Sequence, residues 1–314
     1  MKELLVRDQR PAAQAAPSEL SSIQDFIRWG ASRFNEAGLY FGHGTDNALD
    51  EAAWLVLSAL SMPADLPEAY YRSRLTSIEK EAVMRLLLER IQSRKPAAYL
   101  IGEAWFCGLS FKINESVLVP RSPIAELIQD SFSPWLDGVE VARVLDLCTG
   151  SGCIGIACAH AFPGAQVDLS DISSDAVDVA KENIRQHDLQ NRVTAIESDL
   201  FSKIPDNTYE LIVTNPPYVG SKELAALPDE YHQEPVLGLA AGEEGLDVVR
   251  QILAGAGRYL APEGLLIVEV GNSQAAVEKA WPEVPFTWLD FDNGGHGVFL
   301  LTATELRSYF RDGC

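Results

Sequence analysis

The chain has 314 residues, 47% hydrophobic and 22% charged, an ordinary globular balance whose length suits two domains or one with a large extension. No apolar run reaches the roughly 18 residues of a membrane span, and the charged start has no signal core, so cytosol is the expected compartment. Its formal charge of −20, from 45 acidic and 25 basic residues, opposes a free nucleic acid as substrate and favours steering of a basic protein.

Residues 1–20 read as a loose tail, Ala/Pro-rich from Pro11 to Pro17. Residues 21–95 follow a helical pattern and are expected to form a small substrate-docking domain. Ile23, Phe26, Ile27 and Gly30 repeat at three/four spacing. A second helix is expected over 50–60, with Asp46 or Asn47 as its cap. Thr76 and Glu79 form a capping box for a third. The glycine loop between the first two carries His43, which reads as either catalytic or structural.

Pro96 ends the third helix. Residues 97–114 alternate aromatics around Gly108 and predict a β-hairpin, so that 96–123 becomes an inter-domain joint. A helix follows over 124–132. From Val141 onward strands and helices alternate, with strands expected at 143–148, 166–170, 192–197, 211–214, 264–270, 286–291 and 297–301. Helices are expected at 174–187, 246–260 and 273–280. This predicts an α/β, doubly wound sheet over 124–314, with Asn293-Gly294-Gly295 turning a terminal antiparallel hairpin.

Two motifs carry chemistry. The first strand ends in Asp146-Leu147-Cys148-Thr149-Gly150-Ser151-Gly152, ahead of a small-residue helix. Such a turn lets the backbone approach a nucleotide-like ligand closely. It lacks the Lys-Ser/Thr ending of a phosphate loop and any basic neighbour, so an adenosine without phosphates fits best. S-adenosylmethionine (SAM) is the obvious candidate. Asp171, at the end of the next strand, is placed to bind ribose hydroxyls or to cap the helix that follows.

The second motif is Asn215-Pro216-Pro217-Tyr218 after an apolar strand. The Asn side-chain carbonyl accepts one N–H, the Pro216 carbonyl a second, and the Tyr218 ring packs on a flat amide or base. That arrangement orients a weak nitrogen nucleophile toward an electrophile. Five cysteines, an odd number, oppose a disulfide framework. The five-residue spacing of Cys148, Cys153 and Cys158 suits packing better than a metal, and none is expected. Arg121 reads equally as a substrate contact or an inter-domain salt bridge. Glu234, Pro235, Gly242 and Gly245 read as a loop closing over substrate or as plain turn chemistry.

The order Asp146 to Gly152, Asp171, Ser198-Asp199 and Asn215 to Tyr218 resembles the class I SAM-dependent methyltransferases that modify amino nitrogens. Arg94, Pro96, Tyr99, Leu100 and Gly102, followed by Val117 to Arg121, narrow the likeness to the bacterial protein-(glutamine-N5) methyltransferases. The continuation Ser122-Pro123-Ile124, with Gly42 to Thr45 and Ala104 to Leu109, resembles the branch acting on the third protein of the large ribosomal subunit. The likeness covers about residues 21–302. It implies SAM as cofactor, with Asp146, Thr149, Gly150, Ser151 and Gly152 at its methionine end and Asp171 on the ribose. Asp199 and Leu200 would hold the adenine. Asn215 would lie beside both SAM and the substrate amide, with Pro216, Pro217 and Tyr218 completing the substrate site. The implied partner is a basic large-subunit ribosomal protein, free or assembling; a release factor, or adenine N6 in nucleic acid, is the alternative. A non-catalytic scaffold retaining the fold is a further reading.

Overall fold

The computed structural model describes residues 19–310, and the expectations for 1–18 fall outside them. The chain divides into two units after Ile101. The first is helical: α1 (Ile23–Glu36), α2 (Ala48–Ala59), α3 (Ser77–Ser93) and a short α4 (Ala97–Ile101). Ser22 with Asp25, Asn47, and Thr76 with Glu79 cap the three long helices. Phe26, Phe34, Leu55, Val83 and Leu87 form the core, which also takes in Leu20. Gly30 permits close approach, since a Cβ there would stand 2.9 Å from Leu87 Cδ2 and 3.2 Å from Ala52 Cβ. A buried ion pair, Arg90 Nε to Glu51 at 2.6 Å, ties α3 to α2. Arg90 also donates to the Tyr40 carbonyl at 3.0 Å, and Thr45 Oγ1 donates to Glu51 at 3.0 Å. His43 is buried in this unit.

The second unit begins with a hairpin, β1 (Glu103–Phe106) and β2 (Leu109–Lys112). Cys107 and Gly108 both take positive φ, the geometry that a tight two-residue hairpin turn requires. The hairpin is shorter than the sequence reading of 97–114, because residues 97–101 are helical. Pro96 has the fixed φ of a helix start, and Ala97 and Ala98 are good helix formers. The helix expected over 124–132 likewise stops early: α5 is Ile124–Gln129. Ser131 and Phe132 turn to positive φ, and Phe132 is fully buried, its ring stacked on Phe162 at 6.2 Å. Burying that ring takes precedence over three more helical residues.

The main sheet contains β3 (Arg143–Leu147), β4 (Gln166–Asp171), β5 (Val193–Glu197), β6 (Tyr209–Thr214), β7 (Leu260–Glu269), β8 (Thr287–Leu289) and β9 (Val298–Thr302). Its order is β5-β4-β3-β6-β7-β9-β8. The five strands from β5 to β7 are parallel, while β9 runs antiparallel to both β7 and β8. This is the expected doubly wound class I methyltransferase sheet with its terminal hairpin. Between the strands lie α6 (Cys153–Ala161), α7 (Ser174–Gln186), a short α8 (Ser221–Leu224), α9 (Asp247–Tyr259) and α10 (Gln274–Ala280). The chain ends its described part with α11 (Ala303–Tyr309), capped by Thr302 and Glu305 and absent from the sequence reading.

Strand alternation divides the core between two faces. Val144, Leu211, Val213 and Ile267 face α5, α6 and α7, whereas Leu145, Ile212, Leu266 and Phe299 face α9 and α11. The chain runs outward from β3 through β4 to β5, then returns to pair β6 on the other side of β3. That reversal opens a crevice beyond the carboxyl ends of β3 and β6, where open α/β sheets bind ligands. Among the described residues no helix is long and apolar enough to cross a membrane.

Candidate active site

A cavity of about 270 Å³ occupies this crevice. Its wall takes Thr149, Gly150 and Ser151 from the turn after β3, Asp171 from β4, and Asn215, Pro217 and Tyr218 from the end of β6. Asp146 lies beneath the turn, fully buried. Its Oδ2 accepts Thr149 Oγ1 at 2.5 Å and the Gly155 N–H at 2.9 Å. Gly155 makes that second bond possible. A Cβ there would meet Leu169 Cδ2 at 2.1 Å and Asp146 Cβ at 3.0 Å, so only glycine brings α6 this close to the sheet. Gly150 and Gly152, at φ +55° and +84°, let the turn fold over the acid. Burial pushes the Asp146 carboxyl up to about 7. Its second oxygen, Oδ1, is buried and has no hydrogen-bond partner.

Asp171 accepts the Gly150 N–H on Oδ2 and the Ser173 N–H on Oδ1, each at 2.9 Å. It therefore braces the glycine turn from the neighbouring strand. The cap of α7 is Ser173, whose Oγ accepts the Ala176 N–H at 3.3 Å, so the helix-cap reading of Asp171 gives way. Burial raises the Asp171 pKa from its ordinary value, against the backbone bonds that lower it. Asp199 is exposed and Leu200 half-buried at φ +43°; both follow β5 at the same edge but lie outside the cavity wall. Pro216, Gly152 and Asp146 are also outside it.

Thr214 Oγ1 donates to the Leu147 carbonyl at 2.7 Å, which locks the mouth of β6 beside β3. Asn215 is the next residue, and its Oδ1 is likewise buried with no partner. The Tyr218 carbonyl accepts Ser273 Oγ at 2.7 Å, and its ring packs on Gly271, where a Cβ would be 2.7 Å away. Tyr218 is thus held by backbone and side chain alike. Val219 pairs with residues 239–241, a bridge that draws Leu237, Gly238 and Leu239 into the cavity wall.

The sequence reading missed Glu269 at the end of β7. It is 5% exposed, lines the cavity, and accepts Ser122 Oγ at 2.5 Å and Tyr218 Oη at 3.2 Å. Burial raises its pKa to about 7, while the bonds from Ser122 and Tyr218 and the charge of Arg121 pull the other way. The available signal was a charged residue closing the apolar run 265–268. Glu234 was noticed but not chosen. It is nearly fully buried and receives both Arg121 amino groups, at 2.8 and 2.6 Å, and the Val119 N–H at 3.1 Å. Arg121 therefore pairs within its own unit, which replaces the inter-domain bridge. Glu234 and Glu269 together fasten the 117–122 segment as one cavity wall.

These features fit SAM. The glycine turn offers a close backbone approach, Asp171 and Glu269 bring carboxylates to the cavity wall, and Asp146 Oδ1 lies buried and unpartnered beneath the turn. A ligand with an ammonium group and a positive sulfonium centre suits an acceptor-lined pocket.

Comparison with known proteins agrees. Residues 132–227 match the methyltransferase small domain family model. A ribosomal protein uL3 glutamine methyltransferase of Xanthomonas campestris is 55% identical, covering 93% of this chain and 94% of that one. The enzyme of that name from Francisella tularensis is 49% identical over 93% of both chains. Among solved structures, the catalytic domain of hMettl16 with a MAT2A 3′UTR hairpin superposes at TM-score 0.48 and 18% identity, covering 71% of this chain and 80% of that one. Identity of this extent over nearly the whole length settles kinship: the chain belongs to the family of the ribosomal protein uL3 glutamine methyltransferases, SAM-dependent enzymes.

Proposed function

We propose that this protein methylates the side-chain amide nitrogen, N5, of a glutamine in ribosomal protein uL3, in the cytoplasm, on the free or assembling protein. SAM supplies an electrophilic methyl group on a sulfonium sulfur. Asp146, Thr149, Gly150, Ser151 and Gly152 would hold its methionine end, Asp171 its ribose, and Asp199 and Leu200 its adenine. The observation that carries the chemistry is a buried, unpartnered Oδ1 on Asn215, a residue of the cavity wall.

A glutamine amide nitrogen is a poor nucleophile because its lone pair is delocalised into the carbonyl. Asn215 Oδ1 accepts one substrate N–H and the Pro216 carbonyl the other, fixing the rotation of the amide. Positioning of this kind lowers the barrier by holding reactants at near-attack distance, about 3–3.5 Å in general. The two bonds strengthen as positive charge grows on the nitrogen, so they favour the transition state over the bound substrate. The surplus proton leaves afterwards, and no dedicated base is needed. Val117, Leu118, Leu237 and Leu239 give the cavity an apolar part of its wall. The helical unit, 21–95, is assigned to docking the body of the ribosomal protein. Its basic character suits a chain of net charge −20, which weighs against the nucleic-acid alternative.

Incubation with tritiated SAM and, separately, isolated uL3, a release factor and nucleic acid tests this reading. Label is expected in uL3 alone, on a glutamine side chain. Label confined to either of the other two would overturn it.

A further inference from the structure

We propose that Asn183 is a positioning residue for cofactor binding: it sets the Ser151 carbonyl of the glycine turn and ties that turn to the β1–β2 hairpin. This rests on the reading that residues 149–152 seat the methionine end of SAM. Asn183 lies in the last turn of α7 and is fully buried. Its carboxamide bonds three backbone groups. Oδ1 accepts the Lys112 N–H at 2.8 Å, while Nδ2 donates to the Lys112 carbonyl at 2.9 Å and to the Ser151 carbonyl at 2.8 Å. The paired bonds to Lys112 fix which end of the carboxamide is which, because only the NH2 can donate. Its second hydrogen is thereby committed to Ser151.

Both ends of this link are built for it. The hairpin is a two-stranded sheet, so the outward backbone groups of β2 need partners from elsewhere. Asn183, Gln186 and His187 recur at three/four spacing and supply them from one side of α7. Gln186 Nε2 and His187 Nε2 reach the Ser110 carbonyl at 2.7 and 2.9 Å, and Asn183 takes Lys112. At the other end, each bond narrows the freedom of the turn. The Thr149 N–H goes to the Ser170 carbonyl at 3.0 Å, that of Gly150 to Asp171 at 2.9 Å, and that of Gly152 to the Thr149 carbonyl at 2.9 Å. The Ser151 carbonyl and the Gly152 N–H belong to one peptide, so Asn183 and Thr149 hold it from opposite ends. Gly152 also packs on α7, where a Cβ would stand 3.3 Å from Ala180 Cβ. Ser151 lines the cavity and Asn183 does not. Asn183 therefore acts on a ligand through the turn. Without its side chain the Ser151–Gly152 peptide is free to rotate, and the backbone that meets the cofactor moves with it.

Asn183→Asp keeps the shape and the bond from the Lys112 N–H but removes both donors, and Asn183→Ala removes the whole link. Each should weaken SAM binding about 10-fold by calorimetry, the worth of one buried hydrogen bond. KM for SAM should rise by the same factor, while kcat at saturating SAM changes little. Gln186→Ala supplies the contrast. It loses a hairpin bond without touching the turn, so its SAM affinity should match the wild type. Should neither Asn183 variant fold, amide exchange on the wild type still decides. Added SAM should slow exchange of the Lys112 N–H beyond the general protection that ligand binding gives, read at α11. Gly150→Val strains the turn itself and should also weaken SAM binding. If it does not, the seat reading falls and the proposal with it. A folded Asn183 variant with wild-type SAM affinity, beside a weakened Gly150→Val, overturns the proposal alone. So does Lys112 exchange indifferent to SAM, or a Gln186→Ala that weakens SAM as much as Asn183→Ala.

Discussion

Asp146, under the glycine turn after β3, and Glu269, at the end of β7, are both buried acids that burial pushes up to about 7. Their partners come from very different distances along the chain. Asp146 Oδ2 finds both its donors within nine residues, Thr149 and Gly155. Glu269 reaches across 147 residues to Ser122 and 51 to Tyr218. The first acid is held by backbone geometry that a turn builds for itself. The second is held by side chains that only the finished sheet brings together. The contrast separates a cradle built by one turn from a wall assembled across the sheet.

The largest expected effect lies on the assembled wall, at Asn215. Asn215→Ala should lower methyl transfer by about 10²–10³ while SAM still binds, since only a contact to the substrate amide is lost. Tritiated SAM for turnover and calorimetry for binding measure the two separately. Full activity in this variant would break the distinction between the two walls.

On the cradle side, Gly155→Ala should act through packing. Its methyl would collide with Leu169 and Asp146. Overpacking of this kind costs about 1–3 kcal/mol, read as a lower urea midpoint. SAM affinity should fall with it, because the turn must shift outward. Unchanged stability would mean that α6 is not held against the sheet as described.

The last expected effect is a pH trend that sets the two buried acids against a partly buried one. Asp146 and Glu269 bind protons more tightly folded, near 7, than at their ordinary values of 3.8 and 4.5. Between those limits the folded state holds more protons, so stability should fall as pH rises from about 4 to 7 and level off above. Asp25, lowered to about 2 by the Ser22 cap, acts in the opposite sense, and its contribution is lost below about pH 4. Asp146→Asn should flatten the upper part of the curve only. Denaturant melts across pH check this, and an identical curve in the variant would deny Asp146 its share.

What could be read in advance follows the same division. The strands of the α/β unit were legible because buried parallel strands are short apolar runs bounded by turn residues. The glycine turn, Asp171 and the Asn215 segment were legible because each is a local cluster whose chemistry is complete within a few residues. The extent of the hairpin was not. Pro96, Ala97 and Ala98 start a helix where aromatic alternation suggested a strand. The early end of α5 was also hidden, since Phe132 leaves the helix only because a distant Phe162 offers it a place to stack.

The amino-acid order alone determined the alternation of strand and helix, the seat for an adenosine-type cofactor, and an amide-presenting motif at a strand mouth. The tertiary structure decided that Arg121 belongs to Glu234, that Ser173 and not Asp171 caps α7, and that Glu269 joins Ser122 to Tyr218. The reason is physical. Local backbone preferences and hydrophobic period act over a few residues and leave their mark in the sequence. The partners of a buried charge are fixed by which strand ends become neighbours, and that is set only once the sheet order is complete.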